Sequence, residues 1–264
     1  MIDLGPPPFV FPKPAIIRPA SAELLRYGGD PLAAMMPGMV MTIARNAKPL
    51  TITAIGSTTV TATGNITWTN HSIGTAPAAG ERRFVVACIR RYQNGDTATV
   101  SGATIGGNAA NEAHVNFDAS GVGCGIYWLE VPSGTTSTIV LSVSSGGGTG
   151  RGGRITVYRV IATGGGMARH ESAPGVLATG AGSVDWDLPT PAGGVVVAGL
   201  QGVNTTGGHA WTGLTENDDT DINSNEFATA ASAAFAGAGN KAFSASVSAG
   251  DGTQGSAASF GPVG

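Results

Sequence analysis

From residue 49 onward, apolar side chains recur at every second position in short runs, and Gly, Pro, Asn or Asp ends most of these runs. A period of two marks strands with one face buried. Residues 123–143, GCGIYWLEVPSGTTSTIVLSV, show it best. Ile126, Trp128 and Glu130 point one way, and Tyr127, Leu129 and Val131 the other. After Pro132-Ser133-Gly134, Thr138, Val140 and Ser142 alternate with Ile139, Leu141 and Val143. Pro fixes φ and Gly accepts the positive φ a turn needs, so the pattern predicts a β-hairpin with an apolar face toward a core.

The same grammar covers the neighbours. Residues 50–69 alternate Thr with Val and Ile, as in two or three half-exposed strands. Residues 82–92, RRFVVACIRRY, form a near-continuous apolar run flanked by arginines, which predicts a central strand. Further strands are expected over 97–105, 111–117 (with His114 outward), 154–162, 184–188, 195–200 and 211–216. A closing hairpin is expected over 226–235 and 241–247, and a last strand over 257–263. Residues 170–181 and 216–226 are expected as loops. That makes ten to thirteen strands and an all-β fold, two packed antiparallel sheets in one sandwich domain over 49–264.

The first 48 residues differ. Nine of the fifteen prolines lie in the first 49 residues. In GPPPFVFPKPAIIRPA they exclude both helix and central strand, leaving an extended strap. Residues 21–27 allow a helical turn or two before Gly28-Gly29, and Met35, Met36, Met39 and Met41 suit irregular packing. Phe9, Val10, Phe11, Ile16 and Ile17, with Arg18 beside them, stud the strap and need a surface to cover them, which predicts an arm over 1–48 that anchors on other subunits.

Composition narrows the function classes. Charged residues are only 12% of the chain, and Gly, Ser, Thr and Ala take their place. A net charge of −3 gives no footprint for nucleic acid. No apolar run is long enough to span a membrane, and MIDLGPPPFVF lacks the basic and apolar regions of a signal peptide, which predicts folding in a cytoplasm. Cys88 and Cys124 both fall in expected strands, as buried small residues or, if the strands are adjacent, as a pair.

Motifs for catalysis are absent from the pattern. Residues 144–153, SSGGGTGRGG, lack the Gly-Lys-Ser/Thr of a phosphate loop, and no nucleophile elbow occurs. The four histidines are scattered, with no second His at zinc-ligand spacing. Asp219, Asp221 and Asn223 have the first, third and fifth spacing of a calcium loop, but the turn Gly and twelfth-position Glu are missing. They form only a weak metal candidate, and no cofactor is expected. Aromatic side chains offer a sugar platform: Trp186, between Asp185 and Asp187, is expected to be exposed, with His209 and Trp211 nearby.

The series RRFVVACIRR, TVSGATIGGNAANEA, GIYWLEVPSGTTSTIVLSVS and GRITVYRVIA, followed by GGVVVAGLQG and HAWTGLTEN, resembles a jelly-roll-like β-sandwich domain. That domain recurs in bacterial surface proteins and in phage fibre and virion proteins. The likeness covers about residues 60 to 262 and rests on structural turns. IDLGPPPFVFPKPAIIRPA resembles short N-terminal segments of proteins encoded in phage and gene-transfer-agent head or tail clusters. Together they imply a non-enzymatic virion structural protein in a tail fibre, baseplate or head surface. It would form homo-oligomers, dock onto other virion proteins through residues 1–48, and display a sandwich that touches host glycans. The alternative is a carbohydrate-binding module or lectin-like adhesin.

Overall fold

The computed structural model describes residues 47–62, 64–92, 98–119, 121–144, 152–177, 182–203, 209–223, 226–247 and 252–264. The expected anchor residues Phe9, Val10, Phe11, Ile16, Ile17 and Arg18, and the expected helical turn over 21–27, lie outside these residues.

The described residues hold strands and no helix. They are β1 (Thr51–Thr61), β2 (Ile66–Ser72), β3 (Glu81–Tyr92), β4 (Val100–Ile105), β5 (Asn108–Ala109), β6 (Asn111–Phe117), β7 (Gly123–Glu130), β8 (Thr136–Val143) and β9 (Gly152–Thr163) in the first half. The second half contains β10 (Gly166–Leu177), β11 (Gly182–Thr190), β12 (Gly194–Val203), β13 (Ala210–Thr212), β14 (Thr215–Asn223), β15 (Glu226–Phe235), β16 (Gly239–Val247) and β17 (Gly252–Val263). Every pairing is antiparallel. The all-β, antiparallel, jelly-roll-like expectation therefore holds, but residues 49–264 contain the arrangement twice.

In the first half the larger sheet runs β1-β9-β3-β7-β6 and the smaller β2-β8-β4-β5. In the second the larger runs β10-β17-β12-β15-β14 and the smaller β11-β16-β13. With the two-residue β5 set aside, each half has eight strands. They order 1-8-3-6-5 in the larger sheet and 2-7-4 in the smaller. This is a jelly-roll order in which the fifth strand has moved to the edge of the larger sheet. The sequences follow the topology. Phe84-Val85-Val86-Ala87 in β3 matches Val195-Val196-Val197-Ala198 in β12, and Trp68 opposite Ile139 matches Trp186 opposite Phe243.

This order corrects both expected hairpins. β7 pairs with β3 and β6 in one sheet, while β8 pairs with β2 and β4 in the other; β15 and β16 are separated in the same way. The turn at Pro132-Ser133-Gly134 carries the chain across the sandwich instead of reversing it within a sheet. Arg83, fully buried, holds that crossing. Its guanidinium donates to the carbonyls of Val131, Ser133, Gly74 and Thr75 at 2.6–3.0 Å, fixing two crossover loops with one side chain. The expected loops at 170–181 and 216–226 are largely the edge strands β10 and β14.

The four sheets stack as small, large, large, small, with an apolar core in each gap. The first gap holds Ile66, Trp68, Tyr127, Ile139 and Leu141. The middle gap joins Phe84, Val86, Ile126 and Tyr158 to Val195, Val197 and Phe260. The last holds Trp186, Leu188, Leu200 and Phe243. Each large sheet is thus covered on both faces, which is why its central strands are apolar without alternation. Contacts between the halves come in reciprocal pairs. Leu50 N donates to Gly193 O at 2.8 Å, while Gly164 N donates to Gly80 O at 3.1 Å. Each donor precedes the first strand of its half, and each acceptor glycine, at positive φ, precedes the third strand of the other. Such reciprocity belongs to a two-fold interface between two copies of one unit.

Candidate functional site

One cluster of charged and nucleophilic side chains lies where the two large sheets face each other. β3 brings in Arg90, β9 brings Arg154 and Thr156, β1 brings Ser57 and Thr59, and β14 of the second half supplies Asp218. Asp218 accepts from Arg90 Nη2, from Arg154 Nη2, from Arg154 Nε at 2.6 Å and from Thr156 Oγ1 at 3.2 Å. Since Thr156 spends its proton on Asp218, Ser57 Oγ is the donor in the 2.8 Å Ser57–Thr156 contact. Arg154 Nη1 donates to Thr59 Oγ1 at 2.9 Å. Arg90 is wholly buried and Asp218 nearly so. Burial alone would raise the Asp218 pKa, but the Arg154 hydrogen bonds and the charges of Arg90 and Arg154 hold it below the usual carboxylate value.

Beside this pair the thiols of Cys88 and Cys124 stand 3.7 Å apart, hydrogen-bonded, without a disulfide and fully buried. They sit on adjacent strands β3 and β7, in diagonal register. Burial pushes both thiols up; at Cys88 the Cys124 hydrogen bond and the Arg90 charge outweigh it and draw that thiol down, whereas Cys124 stays raised. Facing them is Gly199 of β12. A Cβ there would overlap Cys88 Sγ and approach Cys124 Sγ to 3.1 Å, so the glycine is required by the close approach of the sheets.

Register places a second polar group at the position equivalent to the first. His114 of β6 corresponds to Asp218, Gln201 to Arg90, Gln254 to Arg154 and Ser256 to Thr156. His114 Nδ1 lies 3.0 Å from Ser256 Oγ. His114 therefore points into the interface, not outward. Ser256 donates its proton to Cys124 O at 2.7 Å, so His114 Nδ1–H is the donor to the Ser256 hydroxyl. A base that donates to its serine does not activate it.

The other sequence candidates gather at the far end of the second half. Trp186 is only 4% exposed, so its expected position at the surface is corrected: Asp185 and Asp187 take the outward positions of β11 and turn the ring inward. It stacks on Trp211 at 5.8 Å and on Phe243 at 5.3 Å. Trp211 is half-buried and donates from Nε1 to Thr229 Oγ1 at 2.7 Å; Thr229 in turn donates to the Asp218 carbonyl at 2.9 Å. His209 is buried against Phe227; neither ring nitrogen has a hydrogen bond among the described residues, and Nδ1 lies 3.9 Å from Asp219 Oδ1. Its backbone N–H reaches Asp219 Oδ1 at 3.4 Å. Trp186, His209 and Trp211 thus do come together, as packing around β13 and not as an open platform.

Asp219 and Asp221 lie along strand β14 and not in a loop, so they stand about 7 Å apart along one face of a strand instead of around an ion, and Asn223 is the last residue of that strand. Among the described residues no group of three His, Cys, Asp or Glu is placed to hold a metal. Sequence reasoning missed Arg90, Arg154 and Asp218 because arginines ending an apolar strand and aspartates in a polar run look solvated; their burial follows from the second sandwich. No protein-family model, no curated protein and no solved structure matches the chain.

Proposed function

We propose that the chain is a non-catalytic structural protein of a phage-type particle, displaying a rigid tandem jelly roll and held by its N-terminal arm. The observation that carries this reading is where the chemistry went. Arg90, Asp218, Cys88, Cys124 and Ser256 are enclosed between the large sheets and bonded among themselves, and Trp186 is enclosed in the second half against Trp211 and Phe243. A chain that commits its reactive groups to holding two sandwiches together suits a load-carrying or display role. The likeness of residues 2–20 and of the β region to virion proteins supports the particle setting, and the apolar studs from Phe9 to Ile17 suit docking on other particle proteins. Deleting residues 1–20 should leave a folded double sandwich that no longer joins particles, read by far-UV circular dichroism and by the protein content of purified particles. Normal incorporation of the truncated chain would sink the anchor.

A further inference from the structure

An exposed sheet edge offers unpaired N–H and C=O groups to any passing strand, and proteins guard such edges with charge, proline, bulges, shortness or cover. Nearly every described edge here carries a strong guard. The β10 edge has Arg169, His170, Glu171, Pro174 and a register break. β14 has four acidic side chains and two breaks. β6 is covered by the second half, where Asn116 Nδ2 donates to Gly175 O and Gly255 O. β11 carries Asp185, Asp187 and Pro189, while β5 and β13 are two and three residues long. β2 is neutral but broken between Trp68 and His71, with Asn70 at φ 51°.

The β1 edge is the most open: its guards are one break and the cover at Thr58, whose carbonyl accepts from Trp68 Nε1 at 3.0 Å and whose hydroxyl lies 3.3 Å from His71 Nε2. β1 is the eleven-residue counterpart of β10, and it has no charge and no proline. After one break between Ala54 and Gly56 it runs uninterrupted to Thr61. The whole stretch 49–80 lacks Lys, Arg, Asp and Glu, whereas the corresponding 164–193 has four such residues. Thr51, Thr53, Thr58 and Thr61 stand exposed along it. A groove of about 370 Å³ opens beside it, with Ile55, Val60 and His71 in its wall.

We infer that β1 is an interaction edge on which a second copy of the chain adds its own β1, antiparallel and about a two-fold axis. The chemistry selects this occupant. A neutral, β-branched edge meets itself without like-charge repulsion, and opposed threonines make favourable cross-strand pairs. The chain's other described edges reject it by charge, proline, breaks, shortness or cover. A two-fold contact uses the edge up on both copies, so association stops at a dimer. Trp68, below the groove, is buried and offers no ring face to a sugar. The inference concerns the chain in solution and does not depend on the particle reading.

The test uses the full-length chain. Sedimentation across roughly a hundredfold dilution should show a monomer–dimer equilibrium. Thr53→Lys/Thr61→Lys adds charge at two exposed positions whose side chains make no hydrogen bond among the described residues. It should weaken the dimer about tenfold or more while leaving the circular dichroism spectrum and melting temperature in place. Mixing it with Thr53→Glu/Thr61→Glu should restore a dimer containing one copy of each. A wild-type monomer throughout, a dimer indifferent to the lysines, or a loss that mixing does not reverse would each overturn the assignment.

Discussion

Where the first half sets Arg90, Arg154 and Thr156 against Asp218, the second sets Gln201, Gln254 and Ser256 against His114. Backbone and register correspond; the charge differs, and His114 is only half-buried where Asp218 is buried. Desolvating Arg90 and Asp218 costs several kcal/mol per ion; their attraction and the hydrogen bonds with Arg154, Thr156, Ser57 and Thr59 around them offset this, although Arg90 Nε stays buried without a hydrogen bond. The neutral group holds the equivalent place without desolvating an ion, although Gln201 Oε1 is buried there without a hydrogen bond. The ionic group is thus not needed merely to join two jelly rolls. What it adds is asymmetry: Asp218 finds its arginines only on the first half's β3 and β9, so each large sheet meets the other and not a copy of itself. Cys88 and Gly199 repeat the lesson. They occupy equivalent positions and touch, and the sheets approach closely because one side has a sulfur where the other has only hydrogen.

The comparison breaks most sharply at Asp218. Asp218→Asn leaves two arginines facing the interface without a counter-charge, and should cost about 3–5 kcal/mol in urea unfolding. His114→Ala, at the equivalent position, should cost only about 1 kcal/mol, one neutral hydrogen bond. Replacing the ionic set with its counterpart, Arg90→Gln/Arg154→Gln/Asp218→His, should recover most of the loss. If Asp218→Asn and His114→Ala cost the same, the charge is not what distinguishes the two places.

Much of the fold was legible in residues 49–264. Strands β3, β7, β8, β12, β15 and β16 follow directly from alternation and turn residues, and jelly-roll motifs were visible in GIYWLEVPSGTTSTIVLSVS. Pairing was not legible, because a turn such as Pro132-Ser133-Gly134 looks the same whether the chain reverses within a sheet or crosses between two. β10 and β14 were missed since edge strands carry the charges and prolines that otherwise mark loops. The duplication escaped because the halves share a pattern more than residues: VVA survives between β3 and β12, and little else does. For the candidate site, the alternation Asp185-Trp186-Asp187 already contained the answer, as outward aspartates place the ring inside. Burial of Arg90 and Asp218 had no local signal, since each becomes interior only through the opposite half.

Gly199→Ala sharpens the comparison at the axis. The added methyl meets both sulfurs, and overpacking of this kind costs about 1–3 kcal/mol. Cys88→Ala in the same chain should relieve much of it, giving a coupling of about 1 kcal/mol in a double-mutant cycle. Additive effects would mean that the sheets shift apart to admit the methyl, and that the Cys–Gly match is incidental.

The smallest effect separates the halves by pH. Burial lowers the His209 pKa from 6.5 to about 4, so the stability it contributes is present above 6.5 and lost as pH falls through 4. Burial, and then the charge of Glu216, raise Asp219 from 3.8 to about 6, so its contribution is present below 3.8 and lost as pH rises through 6. Between about 4 and 6 the two slopes oppose and largely cancel. The first half has Val115 at the position of Asp219 and contributes no such slope there. His209→Phe should therefore make stability fall as pH rises from 4 to 6, while Asp219→Asn should make it rise over the same interval, both followed by urea midpoints. Parallel profiles in the two variants would show that His209 and Asp219 do not titrate in this window, and that the far end of the second half is as inert to pH as its counterpart.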